Sequence, residues 1–301
     1  MLARQAVETV RSMLQGATLD DVSVLAVPYT AATDTSITLK YAKRNLTPGS
    51  TVCAGINTFT ALAVTSDGLK IDVLPSMDGG PNLDLPVNEI VRIRPKITTW
   101  SIFREVQSEI DSMSAPQNGL FWPWRLDHYD LDYTSGIYML PLSTVGPRPF
   151  RLLRSEFRQR GTNLWVPFSD AEYIREANYV RVRSDPQQAD AYRFTMAVAF
   201  GQMQSLDSEL VDIGVTNSLA DIPIFGAAAT LILGWEGQRV QPVSQGPTRR
   251  ASEVQVTSNA NLSRVYKQRQ QEAIVEEQTR NAAAFGYRMQ QSYGYEKRII
   301  R

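Results

Sequence analysis

The side chains most used in nucleophilic and acid–base catalysis are nearly missing from this chain. His128 is its one histidine and Cys53 its one cysteine. A serine or cysteine nucleophile needs a base within hydrogen-bond reach, and no Gly-x-Ser-x-Gly turn is present to hold one. His128 closes the run Trp122-Pro123-Trp124-Arg125-Leu126-Asp127-His128, where an imidazole is expected as a hydrogen-bonded surface or core group. Cys53 lies in Thr51-Val52-Cys53-Ala54 and is expected to serve as a small buried apolar residue. A single cysteine excludes an intrachain disulfide framework and cysteine-rich zinc sites. Asp127, Asp130 and Asp132 alternate around Tyr129 and Leu131. On a strand, Asp130 and Asp132 would share one face and could hold calcium or act as a carboxylate pair. The run lacks the glycine and terminal glutamate of a calcium loop, so a solvated strand edge is expected. Asp20-Asp21 reads as a turn or cap. Neither phosphate-binding glycine pattern occurs, and Met77-Asp78-Gly79-Gly80-Pro81 reads as a turn. No catalytic, cofactor or metal site is expected, and the chain is expected not to be an enzyme.

Two clusters could bind rather than react. Phe121, Trp122, Trp124, Tyr129, Tyr133 and Tyr138 could form a sugar platform, or core and subunit contacts, which is the expectation. Arg148, Arg151, Arg154, Arg158 and Arg160 form a dense basic stretch with Glu156 as its one acid. A solvated loop is the default reading, and a DNA-facing or partner-facing patch the sharper one.

These residues are positioned by a regular alternation of helix and strand signals. Residues 2–15 have helical apolar spacing, with Leu2, Ala6, Val10, Met13 and Leu14 on one face. From 22 to 97 the pattern turns to β. Val22–Tyr29, Ser36–Lys40, Thr51–Ala54, Phe59–Ser66, Leu69–Leu74 and Glu89–Ile93 are short β-rich runs, and Asp67-Gly68 is a hairpin signal. Ile102, Phe103, Val106, Ile110 and Met113 predict a helix over 100–113. A second β stretch follows, with strands expected at Tyr129–Tyr133, Gly136–Leu142, Leu164–Pro167, Tyr179–Val182 and Tyr192–Phe200, and a turn or short helix at Asp170–Ala177. Asp221-Ile222-Pro223 opens a helix that is apolar nearly all round and is expected to be buried. A polar helix is expected from Leu262 to about Phe285.

The expected fold class is α+β: N-terminal, middle and C-terminal helices form one helical module that carries two β-rich insertions, a small β-roll or barrel and a β-sandwich-like region. The segments are an N-terminal helix (1–20), a small β module (21–98), a helix (99–118), a β-rich domain (119–215), a buried helix (216–238), a linker (239–260), and a polar helix with its arm (261–301).

Lysine plus arginine equals aspartate plus glutamate, 31 of each, which argues against a freely diffusing DNA binder. With 43% hydrophobic residues a substantial core is possible. No secretory signal and no transmembrane run is expected, which points to a cytosol-like setting. Charge is unevenly placed: residues 262–301 hold eight basic and four acidic side chains. A polar helix followed by an aromatic, basic tail has little apolar surface to bury on its own domain. Residues 262–301 are therefore expected to be poorly ordered in the free subunit and ordered by a partner. Phe285, Tyr287, Arg288, Tyr293, Tyr295, Lys297, Arg298 and Arg301 are the candidate partner-binding residues.

The order of elements carries a resemblance. It runs from the N-terminal helix through the β module ending Glu89-Ile90-Val91-Arg92-Ile93-Arg94-Pro95-Lys96. It continues to Val211-Asp212-Ile213-Gly214-Val215-Thr216-Asn217-Ser218-Leu219-Ala220-Asp221-Ile222-Pro223. Last come the apolar helix with Gly226-Ala227-Ala228-Ala229 and Leu233-Gly234-Trp235, and the polar helix with Tyr266-Lys267-Gln268-Arg269. In this order, most specifically over about 210–285, the chain resembles the head-to-tail connector, or adaptor, proteins of tailed bacteriophages, particularly those of actinobacterial hosts. That resemblance implies a virion protein of the neck, assembled in the host cytoplasm. It implies a ring of twelve copies with no cofactor, contacting the portal protein and stopper or tail proteins, with DNA in the central channel as a further partner and no membrane. Many adaptors are half this length and mostly helical, so the long β segments depart from the pattern. They leave open a tail-tip or baseplate protein that holds a cell-surface glycan, and, more remotely, a carbohydrate-acting enzyme using Asp127, Asp130 or Asp132.

Overall fold

A computed structural model describes residues 1–15, 20–75, 78–115, 117–128, 138–141, 148–183, 189–239 and 257–285. The fold is α+β. The chain divides into two compact units. The first comprises Met1–Glu109, Met203–Asp212 and Thr216–Gln271, and the second Ile110–Gln202, Ile213–Val215 and Glu272–Arg301.

In the first unit, helix α1 (Ala3–Gln15) buries Ala6, Val10 and Leu14 of the expected face, leaves Leu2 and Met13 half-buried, and adds Ala3, Val7 and Arg11 to the buried side. Six strands follow: β1 (Asp21–Val24), β2 (Ser36–Thr38), β3 (Thr51–Ala54), β4 (Asn57–Val64), β5 (Lys70–Pro75) and β6 (Ile90–Ile93). They form one antiparallel sheet in the order β1-β6-β3-β4-β5-β2. The sheet curls until its two edges meet, with Ala26 N donating to Thr38 O and Lys40 N to Val24 O. Curling closes the two open edges around a core of Leu25, Ile37, Leu39, Val52, Phe59 and Ile71, each at most 1% exposed. Asp67-Gly68 makes the β4–β5 turn as expected, with Gly68 N donating to Thr65 O at 2.8 Å.

Helix α2 (Thr99–Met113) begins in this unit, which also holds α3 (Asp221–Arg239) and the first half of α4 (Thr257–Phe285), whose residues from Glu272 on belong to the second. Pro223 sits in the first turn of α3, where its missing N–H is no loss. Ile222, Ile224, Ala227, Ala228, Ala229 and Ile232 are buried, but Phe225 and Leu231 are half-buried and Leu233 is 44% exposed, so the burial expected all round holds for part of the helix. α1 packs on α3. On α4, Ser263 Oγ donates to Ala229 O at 2.9 Å and Tyr266 stacks on Phe225. Gln270 Nε2 donates to Glu109 Oε2 of α2 at 2.7 Å, in the space that Gly226 leaves open.

The second unit is a β-sandwich. One sheet has the order β10-β9-β13-β7, and the other β11-β12-β8. The strands are β7 (Trp122–His128), β8 (Tyr138–Pro141), β9 (Pro149–Gln159), β10 (Trp165–Pro167), β11 (Ala171–Ile174), β12 (Tyr179–Val182) and β13 (Ala189–Val198). Val180 and Val182 from one sheet meet Tyr192, Phe194, Met196 and Val198 from the other, with Trp122, Trp124, Leu126, Leu152 and Phe157 packed around them. A short 3-10 helix, Leu210–Ile213, precedes α3.

Several expectations need correction. The arginine stretch 148–160 is no loop: it is mostly β9, an inner strand between β10 and β13. Residues 171–174 form β11, paired with β12, where a turn or helix is predicted. Strand β7 was not predicted. Helix α4 starts at Thr257 and α3 runs to Arg239, so both ends of the expected linker 239–260 are helical. The expected strand Tyr129–Tyr133 lies outside the described residues.

Candidate interaction surfaces

Cys53 is buried, and burial pushes its thiol up, away from the reactive thiolate. The ring of His128 meets Phe194 edge-on at 6.5 Å. Asp127 is no free carboxylate: Arg193 Nε donates to it at 2.8 Å and Arg125 Nε at 3.3 Å. Burial raises the Asp127 carboxyl, but the hydrogen bonds from Arg193 and Arg125 outweigh this and hold it below the usual carboxylate range. Asp130 and Asp132 lie outside the described residues. Among the described residues, no group of three or more His, Cys, Asp or Glu side chains could hold a metal ion, and no helix is long and apolar enough to cross a membrane.

The outer face of the four-stranded sheet is an ionic ladder. Register aligns Glu156 of β9 with Arg193 of β13 and Asp127 of β7, so charges alternate in sign across three strands. Arg154 pairs with Glu156 at 2.8 Å and Arg158 with Asp190 at 2.6 Å. Arg193 also lies 3.7 Å over the Trp165 ring. Of the arginines that look like a patch in sequence, Arg158 is matched by Asp190 of β13, Arg154 by Glu156 of its own strand, and Arg148 donates to the Arg175 carbonyl. The inner face takes Trp122 and Trp124 into the sandwich interior, which places them in core rather than on a platform. Tyr129 and Tyr133 lie outside the described residues.

Of the candidate partner-binding residues only Phe285 is described; Tyr287, Arg288, Tyr293, Tyr295, Lys297, Arg298 and Arg301 lie outside the described residues. Phe285 packs at 5.9 Å from Phe121 and borders a cavity of about 260 Å³ with Arg151, Arg154, Ser155 and Phe168. Gln278 Nε2 donates to Asn118 O at 2.6 Å, and Ile274 is 3% exposed. The expectation that 262–285 has too little to bury on its own chain is thus corrected. The helix docks through Ser263, Gln270 and Gln278, polar side chains that replace apolar burial with hydrogen bonds.

The first unit holds the strongest electrostatics. Asp20 is no simple turn residue: its side chain is 4% exposed, 3.3 Å from Arg11 Nη1 and 3.7 Å from Arg92 Nη1. Glu8 accepts from Arg92 at 2.6 Å. Arg11, itself 3% exposed, also donates to Ile97 O and Thr99 Oγ1. Burial and the neighbouring Arg92 pull the Arg11 guanidinium down from its usual value. This network ties α1 to the curled sheet and to the start of α2. Asp21, the next residue, is 60% exposed and pairs with Lys43.

The strand directions sort the remaining charges by end. At the end where β1 begins and β6 finishes, Asp20, Asp21, Lys43, Arg44, Arg94 and Lys96 surround a groove of about 510 Å³. Residues 40–50 and 94–98 contain no acid, and the β4–β5 turn at the same end adds one, Asp67, beside Arg44. At the other end, residues 26–38 and 72–89 contain no lysine or arginine, but hold Asp34, Asp72, Asp78, Asp84 and Glu89, the last of them buried and paired with Arg4 of α1. Asp34 accepts from Thr30 N and Asp84 from Ala31 N, both at 2.7 Å. Nothing in the sequence signals this polarity until the sheet order is known.

No protein-family model matches the chain, and no curated protein is similar to it in sequence.

Proposed function

We propose that this chain is a structural subunit of the neck of a tailed bacteriophage, an adaptor that forms a ring between portal and tail and acts by assembly rather than catalysis. The observation that carries the reading is the helical module of the first unit. The nearly all-apolar α3 is held by α1 and by the polar α4, which reaches α2 through Gln270 and Glu109. The segment from about 210 to 285, where the resemblance to adaptors is most specific, supplies two of those four helices. The β modules add surface without displacing that arrangement. The charged groups most suggestive of chemistry, Asp127 and Arg193, hold two strands together, a structural use that fits the same reading. In a ring, many weak contacts become strong together, because closure converts successive contacts into intramolecular ones.

Gold labelling of the chain in purified particles, imaged by negative stain, tests the proposal. Label at the head–tail junction is expected. Label at the tail tip, or particles free of the chain, overturns it.

A further inference from the structure

We propose that the two charged ends of the curled sheet are the halves of one contact between copies of this chain: the acidic end of one copy seats in the basic groove of the next. The inference rests on the ring reading above and supplies the surface that such a ring requires. A ring needs a heterologous contact, in which two different patches of each subunit meet. One compact sheet here presents two such patches, opposite in sign and opposite in position.

The basic end is concave. Arg44, Arg94 and Lys96 are exposed around the groove; Asp67 of the β4–β5 turn faces Arg44, Arg94 donates to Asn45 O, Lys43 is held by Asp21, and Asp20 is matched by Arg11 and Arg92. The acidic end presents Asp34 and Asp84 on the two loops beside Tyr29, where they accept from Thr30 N and Ala31 N. Each end also carries exposed apolar side chains that water would leave on contact. Tyr41 is 58% exposed at the basic end, and Val27 and Leu83 are 49% and 41% exposed at the acidic end. Apolar centres with charged surroundings are the usual anatomy of a specific interface, and opposite potentials fix its register and exclude like-with-like pairing. Duplex DNA is the rival occupant of the basic groove. Asp21, 60% exposed, lines the groove itself, and Asp67 stands beside Arg44; a continuous phosphate backbone would meet them at close range. A neighbour's discrete carboxylates can avoid them.

The test uses the full chain and three preparations: the wild type, R44E/K96E, and D34N/D84N, in which the amide oxygens keep the acceptors for Thr30 and Ala31. Circular dichroism and thermal melting establish that each variant is folded. Native mass spectrometry and light scattering then read association. The wild type is expected to form species larger than a dimer, weakened when salt rises from about 0.1 M to about 1 M and the Debye length falls from ~10 to ~3 Å. Each variant alone is expected to associate at least about tenfold more weakly. Mixed, the two variants retain one good acidic end and one good basic end, so a one-to-one pair is expected and nothing larger. A wild type that stays monomeric overturns the proposal, as does association unchanged in both folded variants, or a mixture that forms no pair. Retardation of a labelled DNA duplex that R44E/K96E abolishes, with self-association untouched, assigns the groove to DNA and also overturns it. If the charge-dependent pairing appears while the label sits away from the neck, the neck reading fails and this contact stands.

Discussion

Asp20 and Asp21 are adjacent, identical in type and alike in sequence context, yet the structure gives them opposite weights. Asp20→Ala removes the nearest counter-charge of a guanidinium that is 3% exposed. Arg11 would keep only neutral acceptors at Ile97 and Thr99, and Glu8 at 3.6 Å. Orphaning a buried charge costs about 3–5 kcal/mol; Glu8 offsets part of this, so ~3 kcal/mol is expected. With a urea dependence of about 2 kcal/mol per molar, the unfolding midpoint falls by about 1.5 M. Asp21→Ala removes a carboxylate that is 60% exposed, and exposed pairs contribute about 0–1 kcal/mol, less than about 0.5 M. Urea titrations of the two variants, followed by circular dichroism, check the contrast. A third variant isolates the cause: Arg11→Met in the Asp20→Ala background removes the orphaned charge, so the double variant is expected to be more stable than Asp20→Ala alone. Equal midpoints for Asp20→Ala and Asp21→Ala refute the reasoning, and so does a double variant no more stable than the single.

Three further outcomes follow from other sites. Gly214 has φ +90° and its missing side chain faces Trp122, so Gly214→Ala is both strained and overpacked; a loss of about 2 kcal/mol or more is expected in thermal melts, and an unchanged melt counts against the close approach. Burial, with Glu109 second, raises the Glu105 carboxyl; a raised folded value means stability present at low pH and lost as pH rises through it. The wild type should therefore lose stability on going from acid towards neutral relative to Glu105→Gln, and parallel pH profiles of the two would show the cause to be misassigned. Asp127→Ala leaves Arg193 with the Trp165 face and no carboxylate at 2.8 Å, so about 1–3 kcal/mol is lost at neutral pH. Because the Asp127 carboxyl lies below its ordinary value, its contribution is present above the unfolded value and lost on acidification. The wild type and Asp127→Ala should converge in strong acid, and a constant gap would contradict this.

Local pattern made much of the first unit legible. Helices α1 and α2 announce themselves by apolar spacing, and β3 through β5 by short apolar runs around turn residues, because one-sided burial leaves its period in the local sequence even where the partner is distant, as α3 is from α1. The same logic fails in the second unit for a physical reason. Leu153, Ser155 and Phe157 alternate with Arg154, Glu156 and Arg158, which is strand periodicity. Charged side chains at every second position look like solvent-facing loop until Arg193 and Asp127, some 35 and 29 residues away in sequence from Arg158 and Glu156, are seen to complete the ladder. Asp20 is missed for a similar reason: its partners come from α1 and β6, and nothing in Asp20-Asp21 says which carboxylate turns inward.

Helix α4 carries the lesson furthest. Counting apolar residues predicts that it cannot dock unaided, since burial of apolar area is the main term that offsets ordering entropy. The count omits two things. The α3 residues it meets are Phe225, Gly226 and Ala229, and the two small ones leave room for Gln270 and let Ser263 reach a backbone carbonyl. Gln270 and Gln278 likewise meet acceptors already fixed by other elements, so little extra order is required to form those bonds. Small residues on one helix and short polar ones on the other thus give a docked helix whose outward face stays charged, as Arg280 with Glu276 and Glu277 shows. A helix held in this way keeps Leu262, Val265 and Val275 exposed, at 43%, 45% and 50%. Partner contact along α4 would therefore be made by a preformed helix at low entropic cost, rather than by an arm that folds on binding.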